Sequence, residues 1–460
     1  MPPGSSNVQM GETSRTDDAS VLAMKILRNG FLTLLFLLVA AGARADFVIP
    51  LEGADQLDVR EFGGEGQGPL ILWLVNQYGE LETPNALIRS LAERGATVWR
   101  VDLLDSLLLQ RSSEAVRSLD GSPVAALLQA AVDSGRGPIA AVACDRMAAP
   151  LLRGLRDWQR DARDPFAVAG GILFFPNLYR GTPIAGEDPE LLGIVSATNM
   201  PLVAFQPELG SNRDRFGALL DTLHAAGSPA YGWLVPHVRD YYLLYSEAPA
   251  NLALESSAGQ MPDEVRAAIA DTPTQLLTAM WLLAHTPRSG EILPLDATAE
   301  RPIAPAYGLI ERQPRSAPDY DLVDARGTRH QLAESLGRVT LVNFWATWCP
   351  PCVHEIPSMN RLAAAYDEDE FAIVSINFRE DPEHILQFMR EVDVDFPVLM
   401  DEDGAVSRDW GVFAFPSSFI LDSEGKIRYS VNTAIEWDTD AVRAVIDRLR
   451  PGSQRGSAAY

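Results

Sequence analysis

The feature that most constrains this chain is a cysteine pair, Cys349-Pro-Pro-Cys352, placed directly after an apolar run. Val339 to Phe344 reads as a buried strand, Trp345-Ala-Thr-Trp348 follows, and the pair then opens a helical pattern that continues to Tyr366. At the first turn of a helix, Cys349 meets unsatisfied backbone N–H groups and the positive end of the helix dipole, both of which favour its thiolate. Helical rise and twist place Cys352 roughly 5 Å away from it, Cα to Cα, within reach of a disulfide. Cys349 is therefore read as the attacking thiol and Cys352 as the resolving one. With 3 cysteines in 460 residues, a disulfide scaffold is excluded. Zinc normally takes a second ligand pair, and the remaining cysteine, Cys144, lies far away in the chain; the other histidines show no metal-ligand spacing either.

The same region holds further separated motifs. Glu355-Ile-Pro357 continues the helix. Phe415-Pro416-Ser417 precedes an apolar strand at Phe419-Ile-Leu-Asp422, and turns fall at Asp324-Ala-Arg-Gly327 and Ser423-Glu-Gly425. Val442, Val445, Ile446 and Leu449 give one face of a closing helix. On these motifs the region resembles the thioredoxin superfamily, in its extracytoplasmic TlpA/ResA-like branch. The resemblance implies a thioredoxin fold over residues 318–451, thiol-disulfide exchange, and no cofactor other than the redox-active Cys349–Cys352 disulfide. It implies that Trp348, Phe415, Pro416 and Ser417 form the substrate-binding surface, with Pro416 in a cis-proline loop beside the disulfide. Where cytoplasmic relatives carry a buried Asp, this chain has Asn343, which cannot titrate, and Glu355 is expected to take its place. A partly buried carboxylate has a raised pKa and can accept the Cys352 proton as that thiol attacks a mixed disulfide. His354 is expected to point outward. The branch further implies client proteins bearing disulfides or thiols, a membrane thiol relay of the DsbD/CcdA kind as electron source, and a reducing direction, with cytochrome c maturation among the uses.

Residues 46–286 alternate short apolar runs, such as Leu70 to Asn76, Ile139 to Cys144 and Pro201 to Phe205, with helical patterns, as a mostly parallel sheet flanked by helices requires. The chain as a whole is thus α/β. The order of elements weakly resembles an α/β-hydrolase, in which a Gly-x-Ser-x-Gly turn carries the nucleophile. Here that segment is Ala143-Cys144-Asp145-Arg146-Met147, so serine chemistry is absent; Asp145, Glu208 and His237 stand in the chain order nucleophile, acid, base. Two readings stay open for this domain: a degenerate hydrolase, or a binding module that positions the redox domain. Gly63 to Gly68 precedes a strand instead of following one and is no nucleotide-binding fingerprint. Residues 287–317 are Pro-rich, without periodicity, and read as a linker; 452–460 read as a tail.

Residues 1–45 contain Lys25 and Arg28, an apolar run from Phe31 to Ala43, and the small-residue site Ala43-Arg44-Ala45. This is signal-peptide grammar with cleavage expected before Asp46, an uncleaved anchor being the alternative, and it places the folded part in the periplasm. The net charge of -24 would repel phosphate backbones, so no nucleic-acid partner is expected.

Overall fold

The computed structural model describes residues 47–53, 55–64, 68–244, 261–304 and 306–451. The expected signal segment and cleavage site, and the 452–460 tail, lie outside them. Two sheets organise the chain. The first has eight strands in the order β1-β2-β4-β3-β5-β6-β7-β8. These are β1 (Phe47–Pro50), β2 (Gln56–Phe62), β3 (Leu70–Leu74), β4 (Thr97–Val101), β5 (Ile139–Cys144), β6 (Val168–Phe174), β7 (Leu202–Pro207) and β8 (Ala230–Val235).

From β4 to β8 every pairing is parallel. The sequence gives the reason: β3 (LILWL) and β5 (IAAVAC) are buried at every position, as strands covered on both faces must be. Helices Ser122–Asp133 and Ala148–Asp161 set Leu127, Leu128, Leu151 and Leu155 against one face. Helices Glu82–Glu93 and Asp263–His285 set Leu87, Leu91, Leu276 and Met280 against the other. Gly154 permits the first two helices to cross closely, since a Cβ there would stand 2.3 Å from that of Val124.

The second sheet runs β14-β13-β12-β15-β16-β9, with β9 (Ile310–Ser316), β12 (Val339–Trp345), β13 (Phe371–Phe378), β14 (Val398–Asp401), β15 (Ser417–Leu421) and β16 (Lys426–Val431). A two-stranded hairpin, β10 (Asp321–Val323) with β11 (Arg329–Gln331), carries the turn expected at Asp324 to Gly327. Strand β12 is central, parallel to β13 and antiparallel to β15, and its seven residues are all buried. Helices Pro350–Ala363 and Asp440–Leu449 cover one face through Ile356, Met359, Val442 and Ile446. On the other face Phe344, Trp410 and Phe419 form a second core, which Ala185 of the first domain joins.

Residues 287–317, read as a linker, are held along part of their backbone by the first domain. Gln159 donates to the Ser289 carbonyl (2.8 Å), Arg156 to that of Leu293 (2.8 Å) and Asn199 to that of Glu291 (2.7 Å), while Glu300 pairs with Arg153 (2.7 Å). The segment then continues into β9 of the second sheet. Before β9, side-chain donors of the first domain satisfy the carbonyls of Ser289, Glu291 and Leu293 in place of a strand partner.

Candidate active site

Strand β12 delivers the chain to a buried turn, and Cys349 becomes the N-cap of helix Pro350–Ala363 with Pro350 at its first position. The Cys352 N–H donates to the Cys349 sulfur at 3.3 Å, and the Cys349 carbonyl accepts from Cys352 N–H at 2.9 Å. The two cysteines form a disulfide with a Cα separation of 5.3 Å. Cys349 is 5% exposed and borders a cleft, whereas Cys352 is 1% exposed and is not among the residues lining it. The asymmetry follows from helix geometry: the N-cap sits at the rim and the next turn points inward.

Behind the disulfide lies Glu355, 2% exposed. Its carboxylate accepts from Asn343 Nδ2 at 2.8 Å and from Trp437 Nε1 at 3.1 Å. Burial pushes its pKa up to about 7, against the lowering pull of the Trp437 and Asn343 hydrogen bonds. Asn343 also donates to Ser418 Oγ (2.9 Å) on β15, so one amide ties the cysteine helix to the strand after the Pro416 loop. His354 is exposed.

Trp348 is partly buried and meets Phe415 edge to face at 5.7 Å. The Phe415–Pro416 peptide is cis, and Ser417 Oγ donates to the Ala414 carbonyl (2.7 Å), closing the loop. A second buried carboxylate, Glu380, accepts from Thr347 N (2.8 Å), Thr347 Oγ1 (2.6 Å) and Asn377 Nδ2 (2.7 Å), fixing the turn two residues before Cys349. Neither Glu380 nor Trp437 was singled out from sequence. Each reaches the site from a distant element: Glu380 follows β13, and Trp437 precedes the last helix. No local pattern marks either of them.

The cleft beside Cys349 has a volume of about 1190 Å³ and lies between the two domains. Asp145, Arg146 and His237 border it from the first domain. Asp145 occupies a sharp turn between β5 and the helix beginning at Ala148, with φ +52°. It is 2% exposed and accepts from Gln77 Nε2 (2.6 Å) and Arg146 Nη1 (2.8 Å). His237 is paired instead with Glu208: Nδ1 lies 3.7 Å from Glu208 Oε2, and its backbone N–H donates to the same oxygen at 3.0 Å. The His237 side chain is 75% exposed. The structure therefore brings Glu208 and His237 together, while Asp145 is held in its own network. Cys144, the free cysteine, is buried and its thiol is pushed far up by burial and by the neighbouring Asp145.

Fold and site together define a thioredoxin-fold domain whose helix-capping cysteine is backed by a buried glutamate. A model of the AhpC/TSA family matches residues 314–430. The thioredoxin-like protein YneN of Bacillus subtilis is 36% identical over 124 residues, 26% of this chain and 71% of that protein. The thiol-disulfide oxidoreductase ResA of Bacillus thuringiensis is 34% identical over 113 residues, 25% of this chain; the match spans 65% of the length of that relative. A crystal structure of a putative thiol:disulfide interchange protein DsbE from Chlorobium tepidum has 30% identity, covering 30% of this chain and 96% of that one, at a TM-score of 0.28. Through its C-terminal part the chain belongs to the thioredoxin-like family.

Proposed function

We propose that the chain is an exported thiol-disulfide oxidoreductase that reduces disulfides of client proteins through Cys349 and Cys352. The observation that carries the reading is the buried Glu355 carboxylate behind a disulfide whose outer cysteine caps a helix. In the reduced protein the Cys349 thiolate attacks a client disulfide, forming a mixed disulfide and expelling one client thiolate. Glu355 takes the Cys352 proton. The Cys352 thiolate then attacks Cys349 Sγ, the second client thiolate leaves, and the expelled thiolates take up protons. Two electrons pass from the dithiol to the client, and a dithiol donor, such as a membrane relay of the DsbD/CcdA kind, restores them. Trp348, Phe415, Pro416 and Ser417 form the client-facing surface, and no cofactor is invoked.

Export rests on the charged, apolar and small-residue segments before Asp46; among the described residues no helix is long and apolar enough to cross a membrane. For the first domain, the strained turn at Asp145 after a central strand, with Glu208 and His237 following β7 and β8, supports an α/β-hydrolase-like scaffold without a working nucleophile. The test uses pre-reduced full chain and 2-hydroxyethyl disulfide, following thiol release against the loss of two protein thiols. Cys349→Ser should abolish release; release that persists in that variant would contradict the proposal.

A further inference from the structure

The client-binding face of the redox domain does not look out to solvent; it is turned toward the first domain. The Arg239 guanidinium lies 5.6 Å over the Trp348 ring, and its Nη2 donates to the Arg379 carbonyl at 2.5 Å. In the loop before Pro416, Val412 accepts from Arg215 Nη1 (3.1 Å), and Phe413 meets Tyr179 edge to face at 5.0 Å. Arg379, from the redox domain, pairs with Asp214 (2.9 Å) and donates to the Glu208 carbonyl (3.3 Å). The seam is also close-packed: a Cβ on Gly186 of the first domain would lie 3.0 Å from the Phe419 ring.

The opposing wall is built at a conformational cost. Asp145, Phe175, His237 and Tyr241 all border the cleft, and all four hold left-handed backbone with φ of 52°, 38°, 60° and 66°. Such residues persist where the surroundings over-determine them, and they gather at functional sites. Here they face Cys349 across one cavity of about 1190 Å³. That is the scale of a small-ligand or short-peptide site and far below that of a folded domain.

Resting on the redox reading above, we infer that the first domain is a wall and lid of the redox site. With the seam closed it admits only disulfides on peptide-sized, extended segments of a client; folded protein surfaces, that of an electron-donating relay included, reach Cys349 only when the seam parts. The exchange is the one already written, with the small disulfide taking two electrons from the Cys349–Cys352 dithiol and leaving as two thiols. The specificity-determining contacts are those of the seam, Asp214 with Arg379 and Arg215 with the Val412 carbonyl, which keep the lid closed.

The test uses pre-reduced full chain with three oxidants: 2-hydroxyethyl disulfide, oxidised glutathione and insulin. Each rate is divided by the rate of the same oxidant with free dithiothreitol, which removes intrinsic reactivity. The normalised rates for the two small disulfides should exceed that for insulin by at least about tenfold. Asp214→Ala and Arg215→Ala should raise the insulin rate several-fold and leave the small-disulfide rates unchanged, which also reports an intact redox domain. Equal normalised rates for all three oxidants, or an insulin rate indifferent to both variants, would overturn the inference while leaving the redox reading standing. Failure of all three oxidants to consume the thiols would remove the redox reading and this inference with it.

Discussion

Replacing Glu355 by Gln should change how the stability of the oxidised redox domain depends on pH. The carboxylate is buried, is held by Asn343 and Trp437, and has its pKa raised to about 7 from an ordinary value of 4.5. A group whose pKa is raised on folding contributes its stability below the unfolded pKa and loses it as pH climbs through the folded one. At about 1.4 kcal/mol per pKa unit, the wild-type domain should therefore lose about 3 kcal/mol through this group between pH ~4.5 and ~8. The substituted glutamine carries no charge and escapes that loss. Its amide must, however, turn an N–H toward either Asn343 or Trp437, both of which are donors, at a cost of about 1 kcal/mol. Glu355→Gln should thus be less stable than wild type near pH ~4.5 by about 1 kcal/mol and more stable near pH ~8 by about 2 kcal/mol. Native-state hydrogen exchange of amides in β12 and helix Pro350–Ala363 reads this domain's opening separately from the rest of the chain. Wild type and variant showing the same pH slope would refute the reasoning. The same variant should slow disulfide exchange by ~10² to 10⁴, the usual worth of a positioned general base.

Other outcomes follow from the same geometry. Alkylation of the reduced protein at mildly acidic pH should label Cys349 first, because it alone caps the helix, and Cys144 last, because burial suppresses its thiolate; peptide mapping reads the order. Trp437→Phe removes one of the three hydrogen bonds, from Trp437, Asn343 and the Ile435 backbone, that hold the Glu355 pKa down, so the inflection of the exchange rate should move to higher pH; a profile that stays in place counts against the Trp437 contact. Gly154→Ala should destabilise the first domain by about 1–3 kcal/mol, since the new methyl collides with Val124 where two helices cross. Its rate with a small disulfide should match wild type.

What the sequence made legible was what is local. The strand into Trp345, the cysteine cap and the Glu355 position all sit within about four turns of chain, and apolar runs marked the parallel strands of the first domain. Strand β2, between β1 and β4, escaped notice because its pattern is strict alternation, Leu57 and Val59 inward between exposed polar residues, without a continuous apolar run. The anchoring of the Pro-rich linker at 287–317 was not legible because its hydrogen bonds come from Arg153, Arg156, Gln159 and Asn199, more than 90 residues away in the chain. Trp437, 82 residues from Glu355, and the seam built by Asp214, Arg215 and Arg379 were invisible for the same reason. Long-range side-chain pairings leave no periodic trace.

The central claim is that Cys349 attacks and Cys352 resolves. In Cys352→Ser the second step is blocked, so a reduced full-length variant mixed with oxidised glutathione should accumulate one glutathione per chain, located by peptide mapping on Cys349. Glutathione on Cys144, or no stable adduct while thiols are still consumed, would contradict the account.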